Sequence, residues 1–296
     1  MSDARIADRG YRTYVGRRTG VGGVVRSLIW HTIKQALGIG RRWTLKIAPV
    51  LTIIVAFIPA IVFIGLTAFI GSSIQDDETR RFLQELDFLP DYPESYSYIT
   101  LAIALFVTFV APEVLCPDRR TGMLGMYLAS PLTRGTYLLS KGAAVAIVLS
   151  IITVGPGMLL LIGFTAQNAG PDTVIDWITA AARILAGGAA TATLFASFSL
   201  AVSSLTDRKG VASAAIALIL LGSAALSDSL VDGGSQSESF RLVNLWQLPI
   251  ELLYRIFGQA GNWDVSTAAV VGAYALVTGA SIAVIIVSYR RLDVKR

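Results

Sequence analysis

Few residues in this sequence could do chemistry, and their types narrow what that chemistry is. There is one histidine, His31, and one cysteine, Cys116. A structural His/Cys metal site needs four ligands, so the chain supplies none alone, and no intrachain disulfide can form. The patterns G-x-x-x-x-G-K-[ST], H-E-x-x-H and G-x-S-x-G are absent. That leaves no phosphate-cradling loop, no zinc-binding helix and no nucleophile elbow. Catalytic, cofactor-binding and metal-binding residues are therefore expected to be none.

The stretch that can do something is APEVLCPDRRTGMLGMYLASPLTRGTYLLSK, residues 111–141. Glu113 ends an apolar run, and a charged turn follows with Asp118, Arg119 and Arg120. A short helix is predicted from about Thr121 to Ala129, ended by Ser130-Pro131. Leu124 and Leu128 share one face, with Tyr127 beside them. A short helix with an apolar face seeks a partner groove, so the expected chemistry is docking. Arg119 and Arg120 read either as part of that surface or as topology anchors. Glu113 reads as a partner of Arg119 or Lys141, or as a residue reaching the interface. Pairing is favoured because an unpaired acid in lipid costs about 2.5–3.5 kcal/mol at a helix centre, less near an end. Arg183 lies seven residues after Asp176 and either snorkels to the interface or lines a substrate path.

These residues must be positioned by elements that cross a membrane. The chain is 54% hydrophobic and only 15% charged, with a mean hydropathy of +0.62. A soluble domain carries about 25% charged residues. The deficit marks long stretches in a solvent that cannot hydrate charge. Residues 47–70 contain no charge and, at about 1.5 Å per residue, cross the hydrocarbon core with some tilt. Further spans are predicted at about 98–115, 138–165, 177–203, 210–227 and 267–289. Gly155-Pro156-Gly157 predicts a kink in the third. Small residues at 186–190, and Gly272, Gly279 and Ala280, predict close helix approach in the fourth and sixth.

Lysine and arginine sort these spans by side. The segments 1–46, 116–141, 204–210 and 290–296 carry 20 of them, and the alternate segments carry four. The excess marks the cytoplasmic side and holds both termini there. The net charge of +5 is thus a matter of orientation, and nucleic acid is not an expected partner. No cleaved signal is read, since the first apolar run begins too far in. The resulting organisation is a basic cytoplasmic terminus (1–21), an amphipathic segment (22–45), a transmembrane domain (46–290) and a cytoplasmic C-terminus (291–296). Within 22–38, Val24, Val25, Leu28, Ile29, Ile33 and Leu37 recur at helical spacing. That helix lies along the inner leaflet or packs on protein. Residues 240–258 read as two short helices dipping into the outer leaflet, or as one interfacial helix anchored by Trp246 and Tyr254. Residues 228–239 read as a linker.

The acidic residue at a membrane exit, the R-x-G, the Y-L-x-S-P-L-x-R and the following Lys of 113–141, with the charged turn SLAVSSLTDRKG, resemble the ABC-2 type transporter permeases. The similarity covers most of residues 22–296. It implies an all-α membrane protein with six spans, an interfacial amphipathic helix, a cytoplasmic coupling helix and a re-entrant external segment. It implies that Arg119, Arg120, Thr121, Gly122, Leu124, Tyr127, Leu128 and Pro131 dock on a separate ATP-binding subunit. Glu113, Asp118 and Lys141 would be structural or coupling charges, and Arg183 a candidate for path lining. It further implies two such ATP-binding subunits holding ATP and Mg, and a second permease subunit, identical or homologous. Export across the plasma membrane through the dimer, among membrane lipid, follows by the same resemblance. The competing class is a secondary transporter driven by an ion gradient. Such proteins place charges and broken helices near the midplane, and here the middles of the spans are nearly charge-free.

Overall fold

A computed structural model describes residues 20–40, 43–73, 91–128, 131–232 and 238–291. Among them every regular element is helical. In chain order these are α1 (Gly20–Ala36), α2 (Trp43–Ser73), α3 (Tyr92–Phe109), α4 (Pro112–Arg120), α5 (Leu124–Leu128), α6 (Arg134–Ala166), α7 (Val174–Ser203), α8 (Lys209–Asp232), a 3-10 turn (Glu238–Val243), α9 (Leu248–Phe257) and α10 (Thr267–Arg290). Residues 1–19, 41–42, 74–90, 129–130, 233–237 and 292–296 lie outside the described residues.

Six segments are long and apolar enough to cross a membrane: 46–70, 92–120, 134–166, 174–203, 209–231 and 267–290. The chain is an all-α, multi-pass membrane protein of six spans. The second differs most from its expected bounds of 98–115. Its start moves back because Pro93 falls in the first turn, where no N–H is needed. It then breaks at Val110–Ala111, and Pro112 opens a new helix, α4, by the same logic. The expected charged turn is consequently the last turn of α4. Arg119 and Arg120 sit at its C-terminus, where positive charge suits the helix dipole.

Helix α6 is central, packing on α7, α2, α1 and α3. It runs as one helix through Pro156. The neighbouring glycines serve approach: a Cβ on Gly155 would meet the Phe57 ring at 2.6 Å, and one on Gly163 would meet Ile64 at 2.5 Å. On α7, a Cβ on Gly188 would meet Val154 at 2.5 Å, and one on Gly187 would overlap Leu253. The small-residue stretch of the fourth span thus lets two neighbours close in. Gly272 and Gly279 do not behave this way, since a Cβ there meets nothing within 4 Å. Helix α10 turns most of its surface outward, as α2 and α8 do, whereas the second and fourth spans are buried. Apolar surface turned toward lipid carries no penalty.

Helix α1 buries Leu28, Thr32 and Ala36 against the bundle, and leaves Trp30 exposed under the Lys34 ammonium at 5.2 Å. One stripe of the helix therefore packs on protein and another faces out. The helix ends at Ala36 because Gly38 turns left-handed (φ 70°) and Ile39 N–H donates to Lys34 O at 2.8 Å. At the other end, Pro249 begins α9 and does not break it. Helix α9 sits among α7, α10 and α3, with Leu248, Glu251 and Leu253 fully buried. Of the expected linker at 228–239, residues 228–232 belong to α8 and 238–239 to the 3-10 turn, and 233–237 lie outside the described residues.

Candidate docking site at the hairpin between the second and third spans

The hairpin's described residues are α4, the turn Thr121–Met123, α5 and residues 131–133 leading into α6. Helix α6 is opened by Thr133, whose hydroxyl accepts from Thr136 N–H in a reciprocal capping box. Gly122 stands in the turn at φ 67°, a backbone that favours glycine.

Among the polar ties that hold the hairpin to the bundle, which include Gln35 Nε2 donating to Glu113 O at 2.9 Å, four are made by charged side chains. The deepest is Lys141, whose ammonium lies 2.8 Å from Asp118 Oδ2 and 3.3 Å from Val114 O. The side-chain exposures are 0% for Lys141 and 7% for Asp118. Tyr137 donates its hydroxyl to the same Asp118 oxygen at 2.8 Å. The Tyr127 and Tyr137 rings both lie 5.8 Å from the ammonium. Burial without partners would make this charge expensive, so the carboxylate, carbonyl and two ring faces are what allow it.

Arg119 makes the second tie. Its Nε is 2.8 Å from Asp207 Oδ1 in the α7–α8 turn, and its Nη1 donates to Ser288 Oγ of α10 at 3.3 Å. Ser288 in turn donates to Ser204 O at 2.5 Å. The third tie is Glu113 to Lys209, at 3.0 Å. Glu113 thus has a basic partner other than the two the sequence suggested. The fourth is Arg134, whose Nη1 donates to the carbonyls of Tyr289 and Arg290 at 3.2 and 3.1 Å, covering the C-terminus of α10.

What remains outward is Arg120, Thr121, Gly122, Met123, Met126 and Pro131, all exposed. Tyr127 is turned inward, its ring 5.3 Å from that of Tyr137. Its burial, and then the Asp118 carboxylate, push its hydroxyl pKa up. The side chains of Leu124 and Leu128 lie outside the described residues. Met123 and Met126 were missed by the sequence reading, although flexible thioethers suit an adaptable contact surface. Asp207 and Lys209 were legible as a charged turn, but their partners were not.

Arg183 stands apart from this site. Its Nη1 donates to Phe257 O at 2.9 Å and so caps α9. Glu251, unremarked in the sequence, is buried in α9. It pairs with Arg255 at 2.8 Å and accepts from Asn262 N–H at 2.9 Å, while Arg255 also donates to the carbonyls of Trp263 and Val265. No cluster of metal-ligating residues occurs among the described residues.

No curated protein matches the chain. A family model described as ABC-2 family transporter protein matches residues 39–291, which spans all six membrane helices and the hairpin. The chain belongs to the ABC-2 transporter family, as its permease component.

Proposed function

We propose that the chain is the membrane-spanning half of an ATP-driven exporter. Two copies, or this chain and a homologous one, would enclose the path. Two ATP-binding subunits holding ATP and Mg would dock from the cytoplasm on Arg120–Tyr127, Leu128 and Pro131. The observation that carries this reading is the hairpin: Glu113, Asp118 and Arg119 held to the bundle by ion pairs, and Arg120, Gly122, Met123, Met126 and Pro131 turned outward. A surface built to receive force needs that combination, since a loosely held tip would yield without moving the spans. The path or dimer contact is assigned to the first and fifth spans by the family resemblance, and both turn most of their surface outward, as α10 also does. The Lys and Arg excess supports cytoplasmic termini, and membership in the family supports a plasma-membrane setting.

The test is co-purification from the native host. An ATP-binding subunit accompanies the wild-type chain, and Leu124→Asp with Leu128→Asp abolishes that association while the chain still inserts. A solubilised wild-type chain with no ATP-binding partner overturns the proposal.

A further inference from the structure

Between α6, α7 and α10 there is a cavity of about 510 Å³. Its walls are Leu115 of α4, residues Gly135–Ala146 of α6, Thr193–Leu200 of α7 and Ile282–Ile286 of α10. On α6 the lining mixes Leu138, Leu139 and the Lys141 stem with Gly135, Gly142, Ala143 and Ala146, whose small side chains leave room. From Gly135 to Ala146 the helix rises about 16–17 Å at about 1.5 Å per residue. That is the depth of one leaflet in a core of about 30 Å.

The polar atoms in the walls are engaged. Thr193 donates to Ala189 O at 2.7 Å and Ser197 to Leu194 O at 2.9 Å, within their own helix. The Lys141 ammonium is held by Asp118 and Val114, so only its methylene stem is offered to the cavity. A polar solute would find no free donor or acceptor there, whereas a hydrocarbon chain needs none. The end of the slot is different. Arg134 precedes the lining residue Gly135, and Arg290 and Arg291 lie about one turn beyond Ile286. Arg134 commits Nη1 to the end of α10, and Arg290 and Arg291 are exposed. An acyl-sized apolar slot therefore lies at the end of the bundle that carries Arg134, Arg290 and Arg291, and basic pockets between membrane helices suit anionic head groups.

We propose that this slot retains one anionic phospholipid of the adjacent leaflet. An acyl chain lies against Gly142 and Ala146, and the phosphate rests on Arg134, Arg290 and Arg291. The inference is independent of the coupling reading, since it needs only the six spans and this end of the bundle.

The experiment uses the full chain with whatever subunits accompany it, in nanodiscs of mixed phosphatidylglycerol and phosphatidylcholine. After mild extraction, native mass spectrometry counts retained lipid. One phosphatidylglycerol per chain is expected, in at least tenfold preference over phosphatidylcholine. Gly142→Leu and Ala146→Phe fill the slot and reduce retention tenfold or more. Leu200 lies 3.8 Å from a Cβ at position 142, so the backbone there tolerates a side chain. Arg290→Gln with Arg291→Gln keeps a lipid but loses the preference for phosphatidylglycerol. A phosphatidylglycerol with a photoactivatable acyl chain, used on the wild-type chain, labels residues 135–146, 193–200 or 282–286. Label spread evenly over α2 and α8, equal retention of the two lipids, or a second copy of the chain crosslinking from Ala143→Cys overturns the proposal.

Discussion

Removing Lys141 tests the energetic core of the hairpin directly. Lys141→Met keeps most of the stem volume and deletes the ammonium that lies 2.8 Å from Asp118 Oδ2. Asp118, 7% exposed, is then a buried carboxylate stripped of its cation. Breaking a buried pair from one side costs about 3–5 kcal/mol, because the surviving charge stays desolvated. Asp118→Asn keeps an acceptor for Tyr137 but strands the ammonium, and is expected to cost a similar amount. The double variant Asp118→Asn, Lys141→Met leaves no uncompensated charge and is expected to recover to within about 1–2 kcal/mol of wild type. A coupling energy of at least about 4 kcal/mol follows, well above the roughly 0.3–0.5 kcal/mol scatter of independent sites. The measurement is denaturant unfolding in micelles followed by tryptophan fluorescence, with trypsin cleavage after Arg119 and Arg120 as a local readout. Single variants within about 0.5 kcal/mol of wild type, or additive effects, would refute the reasoning.

Other outcomes follow from the same geometry. Lys209 is 42% exposed in its pair with Glu113, so solvent screening leaves that contact worth about 0–1 kcal/mol, and Lys209→Gln in the same unfolding assay should fall in that range. Gly261→Ala places a Cβ onto the Glu251 carboxylate; overpacking costs about 1–3 kcal/mol, read as a lower unfolding midpoint. Burial raises the Tyr127 hydroxyl pKa, so the folded state holds its proton longer than the unfolded chain does. The stabilisation is complete below the ordinary tyrosine value and is lost as pH rises through it toward the folded value. Tyr127→Phe should therefore soften the alkaline loss of stability in a pH-scanned melt.

How much of this was legible in the sequence depends on what decides each feature. The six spans are decided by absence of charge over about 20 residues, and that absence is printed in the sequence. The start at Tyr92 and the end at Arg120 are decided by Pro93 and Pro112, which restart helices where charge counting predicts loops. Partner choice is decided by rotation. Glu113 and Asp118 are five residues apart, which places them about 140° apart around α4 at 3.6 residues per turn. One therefore faces α6 and Lys141, the other α8 and Lys209. Both acids were visible as candidates for pairing, but sorting them required knowing where α6 and α8 stand. Gly272 and Gly279 show the converse: glycine composition suggested a contact that the outward face of α10 does not make.

The distribution of ties around Arg119 and Asp118 also constrains how the proposed docking could move the bundle. Asp118 joins α4 to α6 through a contact with almost no water, whereas Arg119 reaches Asp207, which is 56% exposed. The first bond resists separation far more than the second. A displacement of the hairpin would thus carry α6 with it, and would reach the α7–α8 turn through a contact that can open and re-form. The Arg119–Ser288–Ser204 chain adds a second, partly buried route to the ends of α10 and α7. Asp207→Asn should then leave stability within about 1 kcal/mol of wild type. If coupling runs through that turn, the same variant uncouples ATP hydrolysis from transport. Unchanged coupling would assign the transmission to α6 and the serine chain instead.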